Sequence, residues 1–99
     1  MSTVRIEIEY CTQCRWLLRA AWVAQELLST FADELGEVAL IPGKGGVFEV
    51  RLAGQLLFSR SVAGRFPEAA ELKQLVRDCV DPERDLGHVD RKNPQGGTP

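Results

Sequence analysis

Apolar and charged residues alternate strictly from Val4 to Tyr10, and the alternation ends at Cys11-Thr12-Gln13-Cys14. A period of two marks a strand with one buried face and one polar face. Directly after the cysteines the period changes. Leu17, Ala20, Ala24, Leu27, Phe31 and Leu35 recur at steps of three and four, which predicts one long helix. A strand that feeds a helix through a Cys-x-x-Cys turn leaves few folds open to the chain. Thr12 is expected to cap the helix, because its hydroxyl can accept a bond from a free N–H of the first turn. Gly36 is expected to end it.

The rest of the chain supplies three more strands and one more helix. Val38 to Ile41, closed by Pro42, predicts the second strand, and Gly43-Lys44-Gly45-Gly46 a flexible turn. That turn is no phosphate-binding loop, since no Gly-Lys-Ser/Thr stands at the required spacing. Phe48, Val50 and Leu52 alternate with Glu49 and Arg51 as the third strand, Ala53-Gly54 suits a tight hairpin, and Gln55 to Arg60 is the fourth. Ser61 to Phe66 is a connection. Pro67 opens a second helix, where its missing N–H costs nothing, and Glu68 and Glu71 suit the positive end. Leu72, Leu75, Val76 and Cys79 form its inner stripe, and Asp81-Pro82 stops it. Residues 83–99, rich in Pro, Gly and charge, are expected to form a flexible C-terminal tail beyond a domain of residues 1–82.

The order β-α-β-β-β-α is that of an α/β protein of the two-layer α+β kind with a thioredoxin-like core. The first two strands, joined by a helix, should be parallel with a right-handed crossover, and the next two a hairpin. The result is a four-stranded mixed sheet. Both helices belong on one face, because a sheet covered on both faces would read as continuous apolar runs. The other face should be open, or covered by the tail or a partner.

Composition narrows the function. At 99 residues, 44% hydrophobic and 26% charged, the chain makes one small folded domain. A net charge of −2 without a basic stripe argues against nucleic acid as a partner. The longest apolar run, Ala20 to Ala24, is far short of the ~20 residues of a membrane span, and the N-terminus does not read as a signal peptide. A cytoplasmic location is the expectation. Three cysteines are an odd count for a disulfide framework, and in a reducing compartment a close pair is more often catalytic, redox-sensing or metal-binding than structural.

Cys11 and Cys14 are therefore the candidate catalytic pair. Their spacing brings two thiols within disulfide reach, and a helix N-terminus would stabilise a thiolate, the attacking species in disulfide exchange. Arg15 and Arg19 would add positive potential. Trp16, within a turn of Cys14, would cover the thiols or meet a substrate, and Trp22 belongs to the outer side of the helix. The alternatives are two buried, inert cysteines or a zinc site completed by Cys79 and His88. Cys79 falls on an apolar stripe and is expected in the core, while His88 is expected to be a solvated tail residue. Gly45 and Gly46 would let backbone approach the active site.

Tyr10-Cys11-Thr12-Gln13-Cys14, Gly45-Gly46-Val47-Phe48-Glu49-Val50 and Gly64-Arg65-Phe66-Pro67, in this order, resemble the selenoprotein W, T and H (Rdx) family over residues 3 to about 80. The likeness is to its short bacterial members that carry Cys-x-x-Cys. It implies that Cys14 stands where selenoprotein members have selenocysteine, and so that Cys14 is the reactive position. Ordinary thioredoxin logic instead assigns attack to the first cysteine, here Cys11. Of the two, Cys14 is the expected nucleophile. Thioredoxins place a cis-proline where this chain has Gly45 and Gly46, so their peptide-docking device does not carry over.

The resemblance implies a redox role linked to glutathione or thioredoxin, with glutathione as a co-substrate and no tightly bound cofactor or metal. Thr12, Gln13, Arg15, Trp16, Gly45, Gly46 and Phe66 are the candidate contacts to a substrate or partner. Three functions are thus expected in order: a thiol–disulfide redox protein, a binding module whose contacts depend on cysteine state, and a zinc-binding structural protein.

Overall fold

The alternating N-terminal segment forms β1 (Val4–Cys11) in the computed structural model, which describes residues 3–91. It is followed by α1 (Leu17–Thr30), β2 (Leu35–Gly43), β3 (Phe48–Leu52), β4 (Gln55–Ser59), α2 (Arg60–Ala63), α3 (Ala69–Val80) and α4 (His88–Arg91). The strands form one mixed sheet in the order β2-β1-β3-β4. β1 runs parallel to β2 and antiparallel to β3, with Ile8 opposite Leu40 on one side and Val50 on the other. β3 and β4 form the expected hairpin. Ala53 and Gly54 both have positive φ, 50° and 86°, the conformation a two-residue turn needs to match the strand twist.

Ile6, Ile8 and Tyr10 of β1 and Phe48, Val50 and Leu52 of β3 are buried on one face of the sheet. They share a single core with Ala20, Val23, Ala24, Leu27 and Phe31 from α1 and its end, and with Leu72 and Val76 from α3. Both long helices therefore cover the same face, and the fold is thioredoxin-like. The opposite face carries charge. Arg51 reaches Glu7, Glu9 and Glu49 at 3.0–3.2 Å, and Arg5 pairs with Glu7 and Glu37. Six charged side chains in one lattice leave that face no means of carrying a second apolar layer.

Several boundaries differ from those the sequence predicts. α1 ends at Thr30 rather than near Gly36. The Leu35 N–H still bonds the Phe31 carbonyl at 3.0 Å, an i to i+4 link that preserves helical spacing through a turn, so Phe31 and Leu35 mimic a longer helix. Leu17, expected on the inner stripe, is exposed, and Val23 fills the core instead. β2 runs past both expected ends, and Gly36 and Pro42 lie within it. Proline fits there because β2 is an edge strand paired only with β1. Pro67 stands two residues before α3 instead of opening it. Glu68 is the cap, its N–H bonded to the Glu71 carboxylate at 3.3 Å.

Two short helices were not expected. α2 replaces the end of the fourth strand and closes on Gly64, whose φ of 77° is the left-handed stop that glycine favours. The expected flexible tail from Glu83 instead packs on the body as far as Arg91. Arg84 bonds the Thr30 carbonyl and Glu34, Asp90 bonds Arg77, Gln74 and the Leu86 N–H, and Leu86 packs against the core. Residues 92–99 of that tail lie outside the described residues. Among the described residues no helix is long and apolar enough to cross a membrane.

Candidate functional site

β1 delivers Cys11 to the edge of the sheet beside the end of β2. The Thr12 N–H and hydroxyl both bond the Gly43 carbonyl, at 3.0 and 3.2 Å. The Arg15 N–H turns back to the Thr12 carbonyl at 3.0 Å, and the Trp16 N–H bonds the Cys11 carbonyl at 3.3 Å. Thr12 thus ties the loop to the sheet and does not cap the helix; the residue at the cap position is Trp16. Arg15 is the reason. Its φ of 62° lies in the left-handed region, which costs a side-chain-bearing residue roughly 1–2 kcal/mol and breaks helical geometry between Cys14 and Leu17. The thiols sit in a turn that precedes the helix, so the loop backbone and not the first helical turn serves them.

The two sulfurs are 2.6 Å apart, with the Cys14 thiol donating to Cys11. A disulfide needs about 2.05 Å, so the two thiols are close neighbours. Cys11 is buried and Cys14 is exposed. The Cys14 thiol, helped by the N–H groups of Gly46, Cys14 and Gln13, holds the Cys11 thiol below its ordinary pKa against the opposing effect of burial. The Cys11 sulfur and burial hold Cys14 above its ordinary value, although the Gly46 N–H and the Arg60 charge pull the other way. The two shifts make Cys11, the sulfur with more backbone donors, the more acidic thiol of the pair.

An aromatic stack adjoins the thiol loop through Trp16. Trp16 meets Phe66 edge-on with centroids 4.8 Å apart, and Phe66 meets the buried Phe48 edge-on at 5.4 Å. Two guanidiniums cover the rings: Arg19 lies 3.9 Å from the centre of Phe66, and Arg60 lies 4.9 Å from both Trp16 and Phe66.

The expected contacts divide accordingly. Gly46 and Gln13 offer backbone N–H groups to the thiols, Trp16 and Phe66 form the aromatic stack, and Thr12 and Arg15 shape the loop. Gly45, exposed with a φ of 73°, contributes only backbone conformation to the turn. Arg60 escapes sequence analysis because it reads as the last residue of a strand. The available signal was Gly64, a helix stop four residues later. Cys79, expected in the core, is exposed on α3. Among the described residues no group of three or more His, Cys, Asp and Glu side chains converges on a point that could hold a metal. The side chain of His88 lies outside the described residues.

The model of the Rdx family matches residues 5–78, from β1 through most of α3, a span that includes both thiols, Arg60 and Phe66. The chain belongs to the Rdx family. That family is one of thiol-redox proteins, so the assignment and the thiol pair agree. A selenoprotein W-related protein from Vibrio cholerae superposes with a TM-score of 0.79 at 51% identity, covering 81% of this chain and 100% of that one. A protein from Bordetella parapertussis superposes with a TM-score of 0.77 at 64% identity, covering 79% and 99%. Mouse migration and invasion enhancer 1 is 35% identical over 84 residues, 83% of this chain and 70% of the relative.

Proposed function

We propose that this Rdx protein exchanges thiols and disulfides through Cys14 and Cys11, with Cys14 attacking and Cys11 resolving. The observation that carries this reading is an exposed sulfur 2.6 Å from a buried one, under three converging N–H groups. Only Cys14 is open to a bulky disulfide. As it attacks, its proton passes to Cys11, and the substrate bond R–S–S–R breaks to give a Cys14 mixed disulfide and one released thiolate. Cys11 then gives up a proton and attacks the Cys14 sulfur. The second thiolate leaves, and the Cys11–Cys14 bond forms. Two electrons move from the pair to the substrate, and the single proton of the Cys11 thiolate–Cys14 thiol pair passes to a released thiolate or to water. Glutathione or a thioredoxin reduces the pair in a reducing cytosol and completes the cycle.

The test is a redox titration in glutathione buffers, read by alkylation and intact mass on a Cys79→Ser background. A two-thiol transition within roughly −180 to −300 mV is expected. Cys11→Ser should trap a mixed disulfide on Cys14, and Cys14→Ser should trap none. Absence of an internal disulfide at every poise would overturn the reading. The second function, a binding module governed by cysteine state, draws on Leu18 and Val62, both 83% exposed. It predicts a partner that Cys14→Ser still binds.

A further inference from the structure

The cations of the chain fall into two sets. Among the described side chains, Arg5, Arg51, Arg65, Lys73, Arg77 and Arg84 each face a carboxylate within 3.3 Å. Arg15, Arg19, Lys44 and Arg60 face none. Of these four, Arg60 lies close enough to Cys14 to act on it through its charge. Arg15 follows Cys14, Arg19 and Arg60 lie over the aromatic stack, and Lys44 stands in the turn that presents Gly46. Arg60 is half-buried, and its Nε has no hydrogen-bond partner. That nitrogen is closed to solvent, so an incoming anion would meet the terminal N–H groups of the half-buried guanidinium, which no protein carboxylate takes up. The rings hold both guanidiniums in place without neutralising them, because a π-face attracts a cation yet leaves its edge N–H groups free.

From this arrangement we infer that Arg19 and Arg60, supported by Arg15 and Lys44, are specificity-determining residues that select disulfides carrying carboxylates close to the sulfur. The inference rests on the thiol-exchange reading above and names its substrate class. A carboxylate beside the sulfur under attack would lie against the guanidinium edges while the Cys14–sulfur bond forms. A substrate ammonium there would meet like charge in a partly desolvated site. The negative charge that builds on the three sulfurs during exchange is stabilised by the same groups, whichever disulfide is bound.

The test measures oxidation of the reduced protein by three symmetrical disulfides, those of mercaptopropionic acid, mercaptoethanol and cysteamine. Each rate is divided by the rate of the same probe with a free model thiol. At low ionic strength the normalised rate should fall from anionic to neutral to cationic probe, spanning about tenfold or more, and the span should collapse near 1 M salt. Arg60→Gln and Arg19→Gln should each reduce the anionic-to-cationic ratio severalfold. Arg60→Lys, which keeps the charge, should retain most of it, and it keeps the test decisive if Arg60→Gln folds poorly.

Arg5→Gln removes the same unit charge roughly 20 Å along β1, well beyond a Debye length of about 10 Å at 0.1 M salt, and should leave the ratio intact. A normalised ratio near one at low salt, or an equal fall in Arg5→Gln and Arg60→Gln, overturns the inference while the thiol chemistry stands. Failure of all three probes to oxidise the pair overturns the thiol-exchange reading, and the inference with it.

Discussion

At the scale of single residues the site depends on two backbone conformations that ordinary side chains resist. Arg15 adopts a positive φ and keeps the thiols out of the helix, and Gly46 adopts one and directs its N–H at both sulfurs. Nothing lies within 4 Å of a Cβ added at Gly46, so Gly46→Ala tests conformation without a clash. Left-handed geometry would cost the alanine roughly 1–2 kcal/mol, and relaxation of the loop would turn the N–H away. The sign follows directly. Loss of a donor to a thiolate disfavours the charged form, so the Cys11 pKa rises toward its ordinary value. Thiolate absorbance followed against pH should show the transition move upward, and an unmoved transition would remove Gly46 from the site.

At the scale of elements one carboxylate ties the end of the C-terminal segment to α3. The Arg77 guanidinium, the Leu86 N–H and the Gln74 amide hold Asp90 down to about 2, from an ordinary value of 3.8. A carboxyl depressed in the folded state contributes stability that is complete above its unfolded pKa and is lost as pH falls through its folded pKa. The window is therefore from about pH 4 to about pH 2. The protection factor of the Leu86 amide, its exchange rate taken relative to the intrinsic rate at each pH, should fall across that window. Asp90→Asn should abolish the acid dependence and lower the melting temperature at neutral pH. If the Leu86 amide exchanges at the same rate in both proteins, Asp90 does not secure the segment.

At the scale of the whole molecule, core and site are mechanically one. Phe48 is 1% exposed at the centre of the core, and its ring supports Phe66, which supports Trp16 and the guanidiniums of Arg19 and Arg60. Phe48→Ala removes a ring the surroundings cannot replace and should cost about 3–5 kcal/mol in urea denaturation, a large part of the ~5–15 kcal/mol typical of a domain. It should also reduce the preference for anionic disulfides, since the stack loses its support. A loss below about 1 kcal/mol would show that the stack is not part of the core.

Much of this architecture is legible in the residues themselves. The two-residue period of β1 and β3, the helical stripes, the Ala53-Gly54 hairpin and the cysteine pair at a strand end all follow from local chemistry, because periodicity reports which side of an element meets water. Their order also dictates a mixed sheet with both long helices on one face. Boundaries were less legible where local rules compete. The Phe31–Leu35 turn keeps helical spacing without being helix, and Pro42 reads as a stop although an edge strand tolerates it. Three things were decided only by tertiary structure: the buried state of Cys11 beside the exposed Cys14, the packing of Arg84 and Asp90 onto the helices, and the arrival of Arg60 over Trp16 and Phe66. The last two join residues far apart in the chain, and the burial of Cys11 is set by elements outside its own turn; all three depend on how the elements pack, which no local pattern of charge or hydropathy records.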